Sequence, residues 1–402
     1  MTEHIKTPEL RFSNFLDMWH IHKLSDVATI TGGGTPSTKV SEYWDGEIDW
    51  YTPNEIGERI YARGSKKKIT NLGYKKSSTK LLPINTILFT SRAGIGNTAI
   101  LAKEGCTNQG FQSIIPNSEK IDSYFIYTIS NHIKKYALKH AAGSTFLEIS
   151  GKELGKMKLF LPSLKEQQKI GVFFSKLDRQ IELEEEKLEL LEQQKRGYMQ
   201  KIFSQELRFK DDNGNSYPDW SIKKIEDISK VNKGFTPNTK NDEYWDELNE
   251  NWLSIAGMTQ KYLYKGNKGI TEKGASKHVK VDKDTLIMSF KLTLGKLAIV
   301  KEPIYTNEAI CHFVWKESNV NTEYMYYYLN SINISTFGAQ AVKGVTLNND
   351  SINSIIVKLP VIQEQNKIAY FFNELDKLIR KQYAKIEVLK QRKKGLLQKM
   401  FV

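Results

Sequence analysis

Two kinds of hydrophobic pattern alternate along this chain. From Leu164 to Phe203 apolar residues return every three or four positions: Ile170, Phe173, Leu177, Ile181, Leu188, Leu191, Tyr198 and Ile202. The stretch holds no proline, and Gly171 and Gly197 are its only glycines. That spacing predicts one long amphipathic helix with a coiled-coil-like seam, roughly 60 Å in length. The same stripe returns 198 residues later as Ile368, Phe371, Leu375, Ile379, Ile386, Leu389, Leu396 and Met400. Both stripes are interrupted at matching places, by Glu184 and Gln382 and by Lys195 and Lys393. The rest of the chain mixes short apolar runs with Gly, Pro, Asn and Ser. Residues 86–90, 99–101, 113–115, 285–288 and 297–300 read as strands, and 124–139 and 323–332 as helices. The pattern thus predicts a mixed α+β domain, a long helix, a second such domain and a second long helix.

The repeat extends beyond the helices. Residues 33–45 (GGTPSTKVSEYWD) match residues 234–246 (GFTPNTKNDEYWD) at an offset of 201. Trp19 and Trp220 share that offset, as do Asp26 and Asp227 and the threonines Thr70 and Thr271. The offset then slips to 199, where Gly96 pairs with Gly295 and Thr107-Asn108 with Thr306-Asn307. It ends at 198, where LPSLKEQQKIGVFFSKLD (161–178) faces LPVIQEQNKIAYFFNELD (359–376). Slips of this size are loop insertions and deletions on one scaffold. The chain of 402 residues is therefore a tandem duplication of a unit of about 200 residues. It divides as 1–160, 161–205, 206–358 and 359–402.

Each amphipathic stripe must be buried. The first helix carries Glu182, Glu184, Glu185, Glu186, Glu189 and Glu192 across its middle; the second carries Lys377, Arg380, Lys381, Lys385 and Lys390. Opposed charges beside two seams favour pairing of the helices, and an antiparallel arrangement is expected. The alternative is that each stripe packs on its own globular domain.

Composition narrows the function. Lysine and arginine exceed aspartate and glutamate by 13, an excess that suits a polyanionic partner. The excess is uneven: +7 over 20–160, +1 over 206–358, zero over the first helix and +6 over the second. Two cysteines exclude a disulfide-stapled fold and a Cys-rich zinc module. No run of about 18 apolar residues suggests a membrane span, and residues 1–15 do not read as a signal peptide, so a cytoplasmic protein is expected. The sequence contains no GxxxxGK[ST] loop and no Asn/Asp-Pro-Pro-aromatic methyltransferase motif. The lone Glu-x-Lys, Glu185-Glu186-Lys187, lies in a predicted helix, and the seven histidines show no ligand spacing. No catalytic or metal residue is assigned.

Basic residues instead recur around the same repeated element. Lys66, Lys67 and Lys68 precede Thr70, and Lys75 and Lys76 follow it. Lys261, Lys265 and Lys268 precede Thr271, and Lys273, Lys277 and His278 follow it. Ser91-Arg92 and Lys291 occupy matching positions after equivalent strands. Interleaved with Tyr61, Tyr74, Tyr262 and Tyr264, these residues suit phosphate contact, and Arg92 suits a guanine edge. Between the repeated words the two halves diverge: residues 137–150 and 337–350 differ almost throughout. Two equal scaffolds with unequal loops would read two different targets.

The ordered words GGTPST, EYW, TNQGF, GSTF, EIS and LPSLKEQQKI, with their second copies GFTPNT, EYW, TNEAI and LPVIQEQNKI, cover nearly the whole chain. In this order, and twice over, they resemble the specificity subunit of type I restriction-modification systems. The second copy departs from the pattern at TNEAI and at KGVTLNN. The resemblance implies two target recognition domains, each followed by a conserved helix, with the helices paired as an antiparallel coiled coil. It implies that the chain is no enzyme by itself. Each domain would bind one half of an asymmetric, bipartite site on double-stranded DNA. The helices would set the spacer and dock two modification subunits. S-adenosylmethionine, ATP and magnesium would belong to the modification and restriction subunits, with no cofactor in this chain. Two other readings compete: a self-contained DNA-modifying enzyme, and a coiled-coil scaffold with incidental basic charge.

Overall fold

The computed structural model describes residues 7–92, 94–143, 147–291, 293–341 and 344–401. They form two compact units. The first contains residues 7–185 and 384–401, and the second residues 186–383. Each unit thus combines one globular domain, the start of the long helix that follows it, and the end of the other long helix.

In the first unit a five-stranded sheet has the order 28–32, 112–116, 87–89, 98–101, 61–62. All neighbours are antiparallel except the last pair. The inner strand Ile87–Phe89 is buried on both faces, which explains its continuous apolar run. A smaller three-stranded sheet joins 67–69, 44–51 and 105–107. The chain enters the domain on strand His20–Lys23 and leaves on Lys158–Leu161, and these two pair antiparallel. The second unit repeats the five-stranded order with 229–233, 310–315, 286–289, 297–300 and 262–263. Its entry and exit strands, Ser221–Lys224 and Ile356–Leu359, pair in the same way.

The long helices run from Leu164 to Phe203 and from Ile362 to Met400. Inside each unit they are antiparallel. In the first, Asp178 meets Lys393 (2.5 Å) while Glu184 meets Lys385 (2.5 Å). In the second, Lys195 meets Asp376 (2.6 Å), and the Tyr383 hydroxyl donates to Glu192 (3.0 Å). Three of the four residues that interrupt the seams, Glu184, Lys195 and Lys393, therefore form cross-helix ion pairs.

The stripes do more than pair with one another. Ile170, Phe174, Leu177 and Ile181 lie in one core with Trp19, Phe125 and Ile133 of the domain, with Leu389 and Met400 of the other helix and with Phe401 just beyond its end. Ile368 and Phe372 do the same in the second unit, with Ile202, Phe203 and Tyr324. Burial against the domain and against the partner helix occurs together. At one position of each stripe the enclosed residue is the next one along. Phe174 and Phe372 are fully enclosed, whereas Phe173 and Phe371 sit half-buried at the margin. Ile386 and Leu389 are buried, and Leu188, Leu191, Leu375 and Ile379 are half-buried.

The Glu-Gln of the repeated LPxxxEQ words anchors each helix to its domain. Glu166, almost fully enclosed, takes a two-point contact from Arg11, both distances 2.7 Å. Glu364 takes the same fork from Arg208 (3.2 and 2.8 Å) and a bond from the Trp220 indole (3.0 Å). Gln167 donates to the carbonyls of Lys120 and Pro162 and accepts from the Asp122 amide; Gln365 makes the equivalent bonds to Asn319, Pro360 and Asn321. A buried amide with every group used fixes orientation at little net cost.

Candidate nucleic-acid interface

The repeated words build a platform. Thr70 and Thr271 cap short helices, accepting from the amides of Gly73 (3.0 Å) and Gly274 (3.1 Å). Their hydroxyls donate to the carbonyls of Glu42 (2.8 Å) and Glu243 (2.7 Å). Glycine is required below each cap, because a Cβ on Gly73 or Gly274 would lie 2.4 Å from the carbonyl oxygen of Tyr43 or Tyr244. The tryptophans of the EYW words stand edge-on to Trp50 and Trp252, with ring centres 5.0 and 5.3 Å apart. The indoles of Trp50 and Trp252 donate to the carbonyls of Gly34 and Phe235, both at 2.9 Å. The Thr-Asn words close the same turn: Gly34 and Phe235 donate to the carbonyls of Thr107 (2.9 Å) and Thr306 (2.8 Å). These words hold the loops in place.

Basic residues stand on this platform in matched places. The ammonium of Lys67 lies 5.8 Å from the centre of the Trp44 ring, and that of Lys268 lies 5.8 Å from Trp245. Each Lys is thereby steadied on an aromatic face with its charge toward solvent. Lys66, Lys68, Lys75 and Lys76 are exposed around the first. Around the second, Lys265 is exposed and pairs with Glu250 (2.5 Å), while Lys273 pairs with Glu243. Lys277 and His278 are exposed, and the His278 ring lies flat on Phe235, 3.5 Å between centres and 3° between planes.

Two residues that the sequence places with these have another position. Lys261 is not on the exposed face. Its ammonium is buried, paired with Glu323 (2.5 Å) and donating to the Tyr327 hydroxyl (2.9 Å) and to Asn373 of the second long helix (2.5 Å). Burial lowers its pKa, opposed by Glu323, which favours the charge. It fastens the domain to the helix. Ser91 is also fully buried; its carbonyl accepts from the Ile149 amide (3.1 Å) and holds that loop. Its neighbour Arg92 remains at the surface, 3.9 Å from Glu148, and the equivalent Lys291 is exposed.

The thiols of Cys106 and Cys311 are buried, and loss of solvent pushes them up to about 11 and about 12, away from nucleophilic use. Among the described residues no cluster of His, Cys, Asp or Glu could hold a metal ion. No described helix is long and apolar enough to cross a membrane. Spacing gives no reason to single out Lys233, Phe235 or Lys280, yet these gather with Lys277 and His278 around one pocket. The sequence signal for them is the segment between Thr271 and Asp284, two residues shorter than its counterpart between Thr70 and Asn85.

Two sheets of one topology, each with a basic and aromatic platform and each tied to a pair of antiparallel helices, define a duplicated recognition module. Residues 17–193 and 217–391 each match the type I restriction modification DNA specificity domain, and the chain belongs to that family. It is 36% identical over 227 residues to the MjaIX specificity subunit of Methanocaldococcus jannaschii, an alignment covering 54% of this chain and 52% of that protein. The chain thus spans about half the length of that relative. With the MjaVIII specificity subunit of the same organism it shares 20% identity over 404 residues, 94% of this chain and 92% of the relative. The fold is that of the S subunit of a type I restriction-modification system from M. genitalium. The TM-score is 0.61 at 15% identity, over 99% of both chains.

Proposed function

We infer that this chain is the DNA-reading subunit of a type I restriction-modification complex and carries out no chemistry itself. The observation that carries this reading is the pairing of matching platforms with different loops. Lys67 on Trp44 and Lys268 on Trp245 stand alike, while the residues around Arg92 and Lys291 differ. Each domain reads one half of a bipartite site on double-stranded DNA, with phosphate contacts from the platform and base contacts from the loops. The candidate contacts are Lys66, Lys67, Lys68, Lys75, Lys76 and Arg92 in the first domain. In the second they are Lys265, Lys268, Lys277, His278 and Lys291. The paired helices set the spacer and dock two modification subunits; restriction subunits join them, in the cytoplasm. S-adenosylmethionine, ATP and magnesium serve those partners.

The test is methylome sequencing of cells that carry the chain with its partner subunits. The expected motif is bipartite and asymmetric. Arg92→Ala relaxes the half read by the first domain and Lys291→Ala the other half, each at a cost of roughly 1–3 kcal/mol in base discrimination. A motif whose two halves relax together under either substitution would overturn the reading.

A further inference from the structure

The second unit contains a recess among its described residues. It lies beside the edge strand Ser229–Lys233, has a volume of about 390 Å³, and is walled by Lys233, Phe235, Lys277, His278 and Lys280. That volume is in the range of small-molecule pockets, roughly 300–1,000 Å³. In the first unit the same place is filled. A Cβ on Gly34 would meet Ser78 Oγ at 2.4 Å and the Thr79 amide at 2.5 Å. Thr79 is buried there and donates to the Thr107 carbonyl (3.1 Å). The matching segment is two residues shorter in the second unit.

Three features set the recess apart, and the first of them points to an anion. The first is charge: three lysines and two histidines line it, with Asp282 as the carboxylate among its lining residues. Lys233 and Lys280 rest on aromatic faces, 4.6 Å from the centre of Phe290 and 5.7 Å from that of Tyr305. Among the described residues no carboxylate neutralises Lys233, Lys277 or Lys280.

The second is backbone strain. Lys277 has φ +73°, whereas Lys76, at the matching place, has an ordinary φ of −99°. A lysine in the left-handed region costs free energy that glycine there would not, and such outliers gather at functional sites. The third is the floor, where the buried His312 imidazole meets the Thr306 hydroxyl at 2.5 Å. The first unit has Ser113 in that place.

We propose that this recess is a phosphate-binding site, with Lys233, Lys277 and Lys280 converging on the phosphate and the His278–Phe235 stack as its flat wall. The phosphate belongs either to a DNA strand or to a free nucleotide. The site deepens the DNA-reading role of this unit and rests on that role only for the source of the ligand.

The test is calorimetric titration of the full-length chain with inorganic phosphate, deoxyadenosine 5′-monophosphate, deoxyadenosine and a duplex carrying the methylated motif. The wild-type chain is expected to bind phosphate saturably. Lys277→Gly should weaken binding at least about tenfold, the usual scale for a charge-assisted contact. Its melting temperature should hold or rise, since glycine adopts φ +73° freely. Lys233→Gln should weaken binding in the same direction. If Lys277→Gly also weakens the duplex, and the monophosphate binds no better than inorganic phosphate, the ligand is a strand phosphate. If the monophosphate binds more tightly than phosphate and the duplex is unaffected, the ligand is a free nucleotide. Failure of phosphate and monophosphate to saturate by about 10 mM, with duplex affinity unchanged in both variants, overturns the proposal. The DNA-reading role then stands or falls separately, on whether the wild-type chain binds the duplex.

Discussion

At the junction between domain and helices the two units solve one problem in different ways. In the first, Ile60 and Tyr124 pack toward the helix, and the Tyr124 hydroxyl donates to Asp178 (2.8 Å), which also holds Lys393. In the second, the matching positions are Lys261 and Glu323, an ion pair, and Tyr327 reaches Asp376 (2.5 Å), which holds Lys195. The equivalence is fixed by backbone bonds: Ile100 donates to the Ile60 carbonyl, and Ile299 to that of Lys261, both at 2.7 Å. What the halves share is the Asp–Lys pair across the helices. What fills the space beside it is exchangeable between apolar and charged chemistry, provided each polar atom keeps a partner.

The comparison is broken most sharply at Lys261. Lys261→Met leaves Glu323 without its cation and is expected to cost about 3 kcal/mol, the scale for half of a buried ion pair. Replacing both residues with those of the first unit, Lys261→Ile with Glu323→Tyr, should recover most of that loss. Urea denaturation with hydrogen exchange resolved by unit would show it; equal losses in the single and double variants would mean the two solutions are not interchangeable.

A smaller effect depends on pH. Burial lowers the pKa of His312 from 6.5 to about 4, so the folded second unit prefers the neutral ring. The unfolded chain binds this proton first. The stability is therefore complete above about pH 6.5 and declines as pH falls toward 4, by about 2–3 kcal/mol in all. The first unit has Ser113 there, which does not titrate; its His132 also has a lowered pKa, from burial and from Lys135, so that unit weakens in the same direction. Thermal melts from pH 7 to 4 should show the second unit weakening, and His312→Gln should flatten that slope.

The smallest expected difference lies in the shared pair. The Asp178 side chain is 5% exposed and that of Asp376 15%. Asp178→Asn should cost about 2 kcal/mol and Asp376→Asn somewhat less, since the lysine left behind is 25% exposed in both and the attraction lost is less screened by solvent at Asp178. Melting of each variant decides the order.

Much of this architecture is legible in the sequence because it rests on periodicity and repetition. Stripes at steps of three and four give both long helices, and matching words give two domains of one topology. The long-range partners are another matter. Lys261 looks like its basic neighbours until Glu323 and Asn373 are brought to it from 62 and 112 residues away. The one-residue step from Phe173 to Phe174 is hidden as well. The recess beside Lys233 goes with a segment two residues shorter than its counterpart, and a length difference alone does not tell which volume it leaves. In these repeats the words most alike are those that hold the platform, and the loops that differ are the candidates for reading DNA.

The ladders His20–Lys23 with Lys158–Leu161 and Ser221–Lys224 with Ile356–Leu359 place the entry and exit of each domain side by side. The five-stranded sheet of each domain lies between them in sequence, and the anchoring Glu166 and Glu364 lie just outside. In genetic terms each domain is a cassette with adjacent ends. Recombination within the short stretches encoding these ladders would exchange one domain while keeping the sequence of the long helix that follows it.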